Sequence, residues 1–191
     1  MIQSAPFAGR RTLLKAGVAV ALAPFAHAQE NPAASRPQPE DWLVRAADAS
    51  ATPLKPADIP PGAKQIFVWA VDPLTGTVRS GTRLNRVLLV RLDPAKLVRE
   101  TADRAVDGIV AYSAVCPHNG CEVNEWIAEE QALFCGCHAS KFQPADGARV
   151  LDGPAPNVLP ALPLKLADGR LTVARPFTAR ITFEQGEDHH A

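Results

Sequence analysis

A chain of 191 residues with 47% hydrophobic content is long enough for one folded domain with a substantial core, and it lacks the composition of a disordered or repetitive protein. Twenty basic residues balance twenty acidic ones, so there is no net field to draw the chain to nucleic acid or to an anionic membrane surface. Any partner must be recognised by local features.

The N-terminal stretch GRRTLLKAGVAVALAPFAHA pairs Arg10 with Arg11, then runs apolar to Ala26-His27-Ala28. This is the layout of a signal peptide, and it resembles the twin-arginine export signal, whose pathway carries proteins already folded. The apolar part from Ala16 to Ala28 contains Pro24 and is shorter than the about 20 residues of a membrane-spanning helix. The expectation is a signal peptide over 1–28, cleavage after Ala28, and a folded protein delivered to the periplasm. Membrane association is expected only through an uncleaved signal or through a partner.

Residues 29–62 hold Pro32, Pro37, Pro39, Pro53, Pro56, Pro60 and Pro61, a density that disfavours helix and central strand. They read as an extended arm or linker, laid along the domain near Trp42 and Leu43, with the folded domain beginning at residue 63. Short runs rich in β-branched and aromatic residues follow at 65–71, 86–92, 108–115, 132–135, 162–167, 170–175 and 179–184. Turn signals such as Asp72-Pro73, Thr75-Gly76, Asp146-Gly147 and Asp168-Gly169 separate several of them, so they read as strands. Only residues 93–102 have the composition of a short helix, with Asp93 as its cap and Pro94 in its first turn. The predicted fold is all-β, an antiparallel sandwich or small barrel over 63–184 with an inserted segment near 112–157, and a frayed tail at 185–191. His189 and His190 in that tail read as solvent-exposed sequence.

The inserted segment carries all four cysteines, as CPHNGC at 116–121 and CGCHAS at 135–140. The pattern is Cys116-x-His118 followed by Cys135-x-x-His138, two Cys-His pairs on two separate stretches. A purely disulfide reading leaves both histidines unexplained. Zinc accepts Cys and His, but its usual fingers pair Cys with Cys and His with His, and Cys121 and Cys137 would remain as thiols in an oxidising compartment. A bridge between those two accounts for them and would clamp the two stretches together. A cysteine-hydrolase reading with Cys116 as nucleophile uses only half of the constellation and lacks an orienting acid.

On these residues the chain resembles the Rieske iron-sulfur proteins, in which C-x-H…C-x-x-H binds one 2Fe-2S cluster, cysteines on one iron and histidines on the other. The resemblance implies Cys116, His118, Cys135 and His138 as ligands and a Cys121–Cys137 disulfide between their loops. It also implies an electron carrier of raised potential, because neutral imidazoles replace two thiolates, and proton uptake coupled to reduction through the outer imidazole nitrogens. In the respiratory members, a serine and a tyrosine after the third ligand donate hydrogen bonds to sulfur. The corresponding positions here are Ser140 and Phe142, so one hydroxyl is kept and one is lost, and Ala139 stands where glycine is common. The stretch DGPAP, with Gly153, Pro154 and Pro156, resembles the proline loop that covers the cluster.

Within the family, ring-hydroxylating oxygenases add a mononuclear-iron domain for which the stretch after His138 looks too short, and Rieske ferredoxins generally lack the extra cysteine pair. The disulfide-bearing class remains: the small subunit of arsenite oxidase and the subunits of quinol-oxidising cytochrome complexes. The run GIVAYSAVCPHNGC, Phe142 and the export signal are similar to the former, whereas the GPAP loop and Pro-rich arm are closer to the latter. The expected partners are a periplasmic oxidoreductase catalytic subunit, a c-type cytochrome, or both, with no nucleic acid. A quinol-oxidising subunit is the alternative, and a structural zinc module the remote one.

Overall fold

A computed structural model of the chain describes residues 31–183 together with Met1. Residues 2–30 and 184–191, and with them the expected signal peptide and the expected tail at 185–191, lie outside the described residues. Among the described residues, ten strands form two antiparallel sheets. In chain order they are β1 Trp42–Arg45, β2 Ile66–Val71, β3 Val87–Arg91, β4 Ile109–Ser113, β5 Glu125–Ile127, β6 Ala132–Cys135, β7 Ser140–Gln143, β8 Arg149–Asp152, β9 Leu164–Ala167 and β10 Arg170–Val173. The larger sheet runs β4-β3-β2-β1-β10-β9 and the smaller one β5-β6-β7-β8. The larger sheet curls back on itself. The backbone around Pro160 to Leu162, just before β9, bonds to β4 through Ser113 N to Pro160 O at 2.8 Å and Leu162 N to Ala111 O at 2.9 Å. The all-β expectation therefore holds.

The long apolar runs in β3 and β4 follow from burial on both faces. Successive side chains of a strand point to opposite sides. Val87 and Leu89 of β3, with Ile109 and Ala111 of β4, enter a core inside the curled sheet that includes Leu43, Val68 and Leu171. Leu88 and Val90, with Val110 and Tyr112, enter a second core shared with Leu133, Phe142, Cys116 and Cys135 of the smaller sheet and its loops. This strand pair is thus the wall between the domain core and the cysteine-bearing subdomain.

Three expectations are corrected. The stretch expected as an arm is part of the fold: β1 lies between β2 and β10, with Leu43 and Val44 buried. Asp41, 1% exposed, receives two hydrogen bonds from Arg79, at 2.6 and 3.0 Å, and the domain therefore begins well before residue 63. The helix expected over 93–102 is broken. Asp93 caps a single 3-10 turn, Pro94–Lys96, and α1, Arg99–Ala102, begins after an extended Val98. Residues 179–183 form no strand. The inserted segment expected near 112–157 carries its own four-stranded sheet, β5-β6-β7-β8. No helix among the described residues is long and apolar enough to cross a membrane.

Candidate metal centre

Two loops meet at one end of the smaller sheet. The first, residues 116–121, leaves the wall strand β4 and is closed on itself by Cys116 N to Cys121 O at 2.8 Å and Gly120 N to Cys116 O at 2.9 Å. Gly120 has φ +72°, the left-handed region that favours glycine, and a Cβ there would approach Arg83 Nη2 to 2.9 Å and the Phe183 ring to 3.0 Å. Arg83 itself donates to the Gly120 carbonyl and lies over Phe183, 4.9 Å from its ring centre. The second loop is the hairpin turn between β6 and β7, which the Cys135–Ser140 pairing closes around Gly136, Cys137, His138 and Ala139. Ala139 adopts φ +61°, the left-handed conformation for which glycine is the easier residue.

The structure brings the expected residues together in pairs. Cys121 and Cys137 form a disulfide with Cα atoms 6.5 Å apart, joining the two loops. Cys116 and Cys135 are free, each 1% exposed, and their sulfurs are hydrogen bonded to each other. The rings of His118 and His138 meet edge to face with centres 4.5 Å apart. His118 is half-buried and His138 is exposed.

The electrostatics of the two thiols suit sulfur ligands. Cys116 is brought down to about 6, first by its hydrogen bond with Cys135, then by the His118 amide and the Ser140 hydroxyl, against an opposing effect of burial. Cys135 is pushed up, first because that same hydrogen bond places its proton between the two sulfurs and then by burial, while the amides of Cys137 and His138 oppose the rise. Three backbone N–H groups and one hydroxyl thus aim at two dry sulfurs, a setting that favours anionic sulfur.

Donor geometry also bears on which metal group fits. A single tetrahedral ion held at about 2.0–2.3 Å needs all its donors within roughly 4 Å of one another. Among the described residues, the one such group within 4.8 Å is Cys121, Cys135 and Cys137, and the disulfide already uses two of its sulfurs. The thiol pair and the imidazole pair are each close, yet they do not converge on one point. Two metal atoms, one per pair, fit this arrangement and one zinc ion does not.

A family model described as Rieske [2Fe-2S] domain matches residues 67–163. The chain belongs to this family. The Rieske domain binds a 2Fe-2S cluster, and the paired donors fit that group. A cytochrome bc1 complex Rieske iron-sulfur subunit of Streptomyces lividans is 37% identical over 83 residues, covering 43% of this chain and 49% of the relative. A putative respiratory nitrate reductase Rieske subunit of Haloferax mediterranei is 39% identical over 90 residues, covering 42% and 40%. The chain thus spans about half or less of these relatives. The solved soluble domain of Rieske protein II from Sulfolobus acidocaldarius aligns with 52% of this chain and 67% of its own, at 22% identity and a TM-score of 0.39.

Around the Rieske centre, the expected supporting residues fall in place unevenly. Ser140 and Phe142 are both wholly buried on one face of β7, consistent with the two-residue period of a strand. Ser140 donates toward Cys116 and accepts from the Ala155 amide at 3.2 Å. Gly153 packs directly on Ser140, whereas Pro154 and Pro156 are exposed and flank the buried Ala155. Ser140, Phe142, Gly153, Pro154 and Pro156 are legible in the sequence, whereas the Ala155 N–H that bonds Ser140 is not. Backbone donors carry no residue signature, and the same holds for the amides of His118, Cys137 and His138. Arg83 and Phe183 under Gly120 were also missed, being distant in sequence.

Proposed function

We propose that Cys116 and Cys135 hold one iron and His118 and His138 the other, and that the chain relays single electrons between a catalytic partner and a cytochrome-type acceptor in the periplasm. The observation that carries this reading is the separation of a buried thiol pair from a more exposed imidazole pair across two disulfide-linked loops. When bound, the cluster supplies one reversible electron. The protein does the rest. Cys116 and Cys135 keep their sulfurs out of water, and the surrounding amides and Ser140 stabilise negative charge on them. Exposed His138 can exchange a proton with solvent or with a donor as the charge of the site changes. Residues 153–156 close the side that faces Ser140.

Iron and acid-labile sulfide should be present in equal amounts, two of each per chain, and the reduced protein should give a Rieske-type EPR signal. Zinc without iron removes the proposal. The midpoint potential should fall as pH rises through the alkaline range, and a flat profile contradicts the role of the imidazoles.

An arsenite-oxidase-like catalytic partner is the version supported by Phe142, the 108–121 sequence and the twin-arginine pattern. A second version, a quinol-oxidising subunit, is favoured by similarity to bc1 Rieske subunits and by the exposed His138, which could hydrogen bond a quinol. Release of the mature protein from membranes by salt alone supports the first version, and retention until detergent is added supports the second. Co-purification of an untagged partner identifies which complex it serves.

A further inference from the structure

Beside the first loop lies an open groove of about 530 Å³. Its wall on the side of the metal centre is Pro117, which stands between Cys116 and His118, and Pro156, next to the Ala155 amide that bonds Ser140. Apolar surface continues along its rim, where Val158 is 46% exposed. Arg149 of β8 and Arg180 of the C-terminal segment line it, and among the described residues no acidic one does. Arg180 makes no hydrogen bond or ion pair among the described residues. Among the described residues Arg149 pairs only with Asp146, three residues away, at 2.8 Å, with both side chains exposed, and such pairs exchange readily for another carboxylate.

We propose that this groove is the docking site for an acidic segment of the redox partner, with an apolar residue on Val158 and Pro156 and carboxylates on Arg149 and Arg180. The proposal rests on the electron-relay reading above and adds the chemistry of the partner. Charge complementarity carries it: in a chain with no net charge, two cations and, among the described residues, no acid line one largely apolar groove, Asp146 being an exposed surface partner of Arg149, and Pro117 of a ligand loop forms part of its wall. A segment bound there lies against Pro117, and its protein is brought beside the exposed imidazole edge. The steering is local and short-ranged, so salt should weaken it.

The test uses the cluster-loaded protein, reduced, mixed in a stopped-flow instrument with two soluble c-type cytochromes of similar potential, one with an acidic surface and one with a basic surface. The acidic cytochrome should be reduced about tenfold faster at low salt, with the advantage lost as salt rises. The double variant Arg149→Glu, Arg180→Glu should lose that advantage and favour the basic cytochrome, with iron content and EPR line shape retained. Equal rates with both cytochromes, a native preference for the basic one, or an unchanged preference in the double variant would overturn the proposal. So would the acidic preference emerging only after shortening the chain after Glu184, because the occupant would then be this chain's own acidic tail. Electron transfer without charge preference removes only the docking site. Transfer to neither cytochrome removes the relay reading and the docking site with it.

Discussion

Gly153→Ala should loosen the loop that covers the metal centre. Gly153 has φ +89°, and a Cβ built there would lie 2.5 Å from Ser140 Cα, 2.6 Å from the Ala139 carbonyl oxygen and 2.8 Å from Ser140 N. All three are backbone atoms of β7 or of the turn before it, so no side chain can swing aside. Ordinary contact begins near 3.4 Å, and the loop must retreat by nearly 1 Å. The bond from Ala155 N to Ser140 Oγ, 3.2 Å long, does not survive that shift. Left-handed strain of about 1–2 kcal/mol and a lost hydrogen bond of about 1 kcal/mol sum to roughly 2–3 kcal/mol. The reduced entropy of the unfolded chain returns about 0.4–1 kcal/mol. A net loss of about 2 kcal/mol corresponds to a fall of about 4–8 °C in melting temperature for a domain of this size. The assay is thermal unfolding, with the rate of bleaching of the visible cluster absorption in air as the local readout. Gly147→Ala is the control, because Gly147 shares the positive φ, at +59°, but has nothing within 4 Å of its Cβ position. It should show the strain without faster bleaching. Equal melting and bleaching for the two variants would refute the claim that close packing on Ser140 holds the loop.

Phe142→Tyr places a hydroxyl on the face of β7 that also carries Ser140, and should raise the midpoint potential. Preferential stabilisation of the reduced state by about 1 kcal/mol corresponds to about 40 mV for one electron, and voltammetry showing no rise would mean that the missing hydroxyl at position 142 does not set the potential. Replacing both Cys121 and Cys137 by serine opens a link across 16 residues and should cost about 3 kcal/mol, read by denaturant unfolding and by cluster loss. Unchanged cluster retention would mean that the two loops are held by the sheet alone. Asp48 is held down to about 2 from 3.8, first by the Ser50 hydroxyl and then by the amides of Ser50 and Thr52. Its folded value lies below its unfolded one, so its contribution is complete above about pH 4 and lost as pH falls toward 2. The stability gap between Asp48→Asn and the parent should close over that window, and a gap independent of pH would show that the carboxylate charge is not involved.

What could be read from the sequence was local. The runs at 86–92 and 108–115 are strands because β3 and β4 face a core on each side, and that double burial writes an unbroken apolar signal. The two Cys-His stretches are equally visible, since each pair of donors is set by a short spacing. β1 was hidden for the opposite reason. It has four residues between proline-rich neighbours, and what places it in the sheet is pairing with β2 and β10 and the buried Arg79–Asp41 contact, all distant along the chain. β5, β7 and β8 were hidden inside the motif segment, whose strands alternate or expose their side chains and so lack a continuous run. The break at Val98 was hidden because its amide bonds the Ala145 carbonyl across the fold and not a helical turn.

The division between visible ligands and invisible donors has a consequence for how such a centre can be tuned. The amides of His118, Cys137 and His138 aim at the two sulfurs because of the turns they occupy, and no substitution that preserves those turns removes them. Side chains can change the field at the sulfurs only where a buried strand face looks toward them, and on β7 that face holds residues 140 and 142. Position 140 carries its hydroxyl, oriented by the Ala155 amide, and position 142 carries a ring with none. Ser140 therefore depends on the proline loop for its orientation whereas Phe142 does not, so a change at Gly153 should shift the potential in the same direction as loss of the Ser140 hydroxyl. Phe142→Tyr should act independently of it.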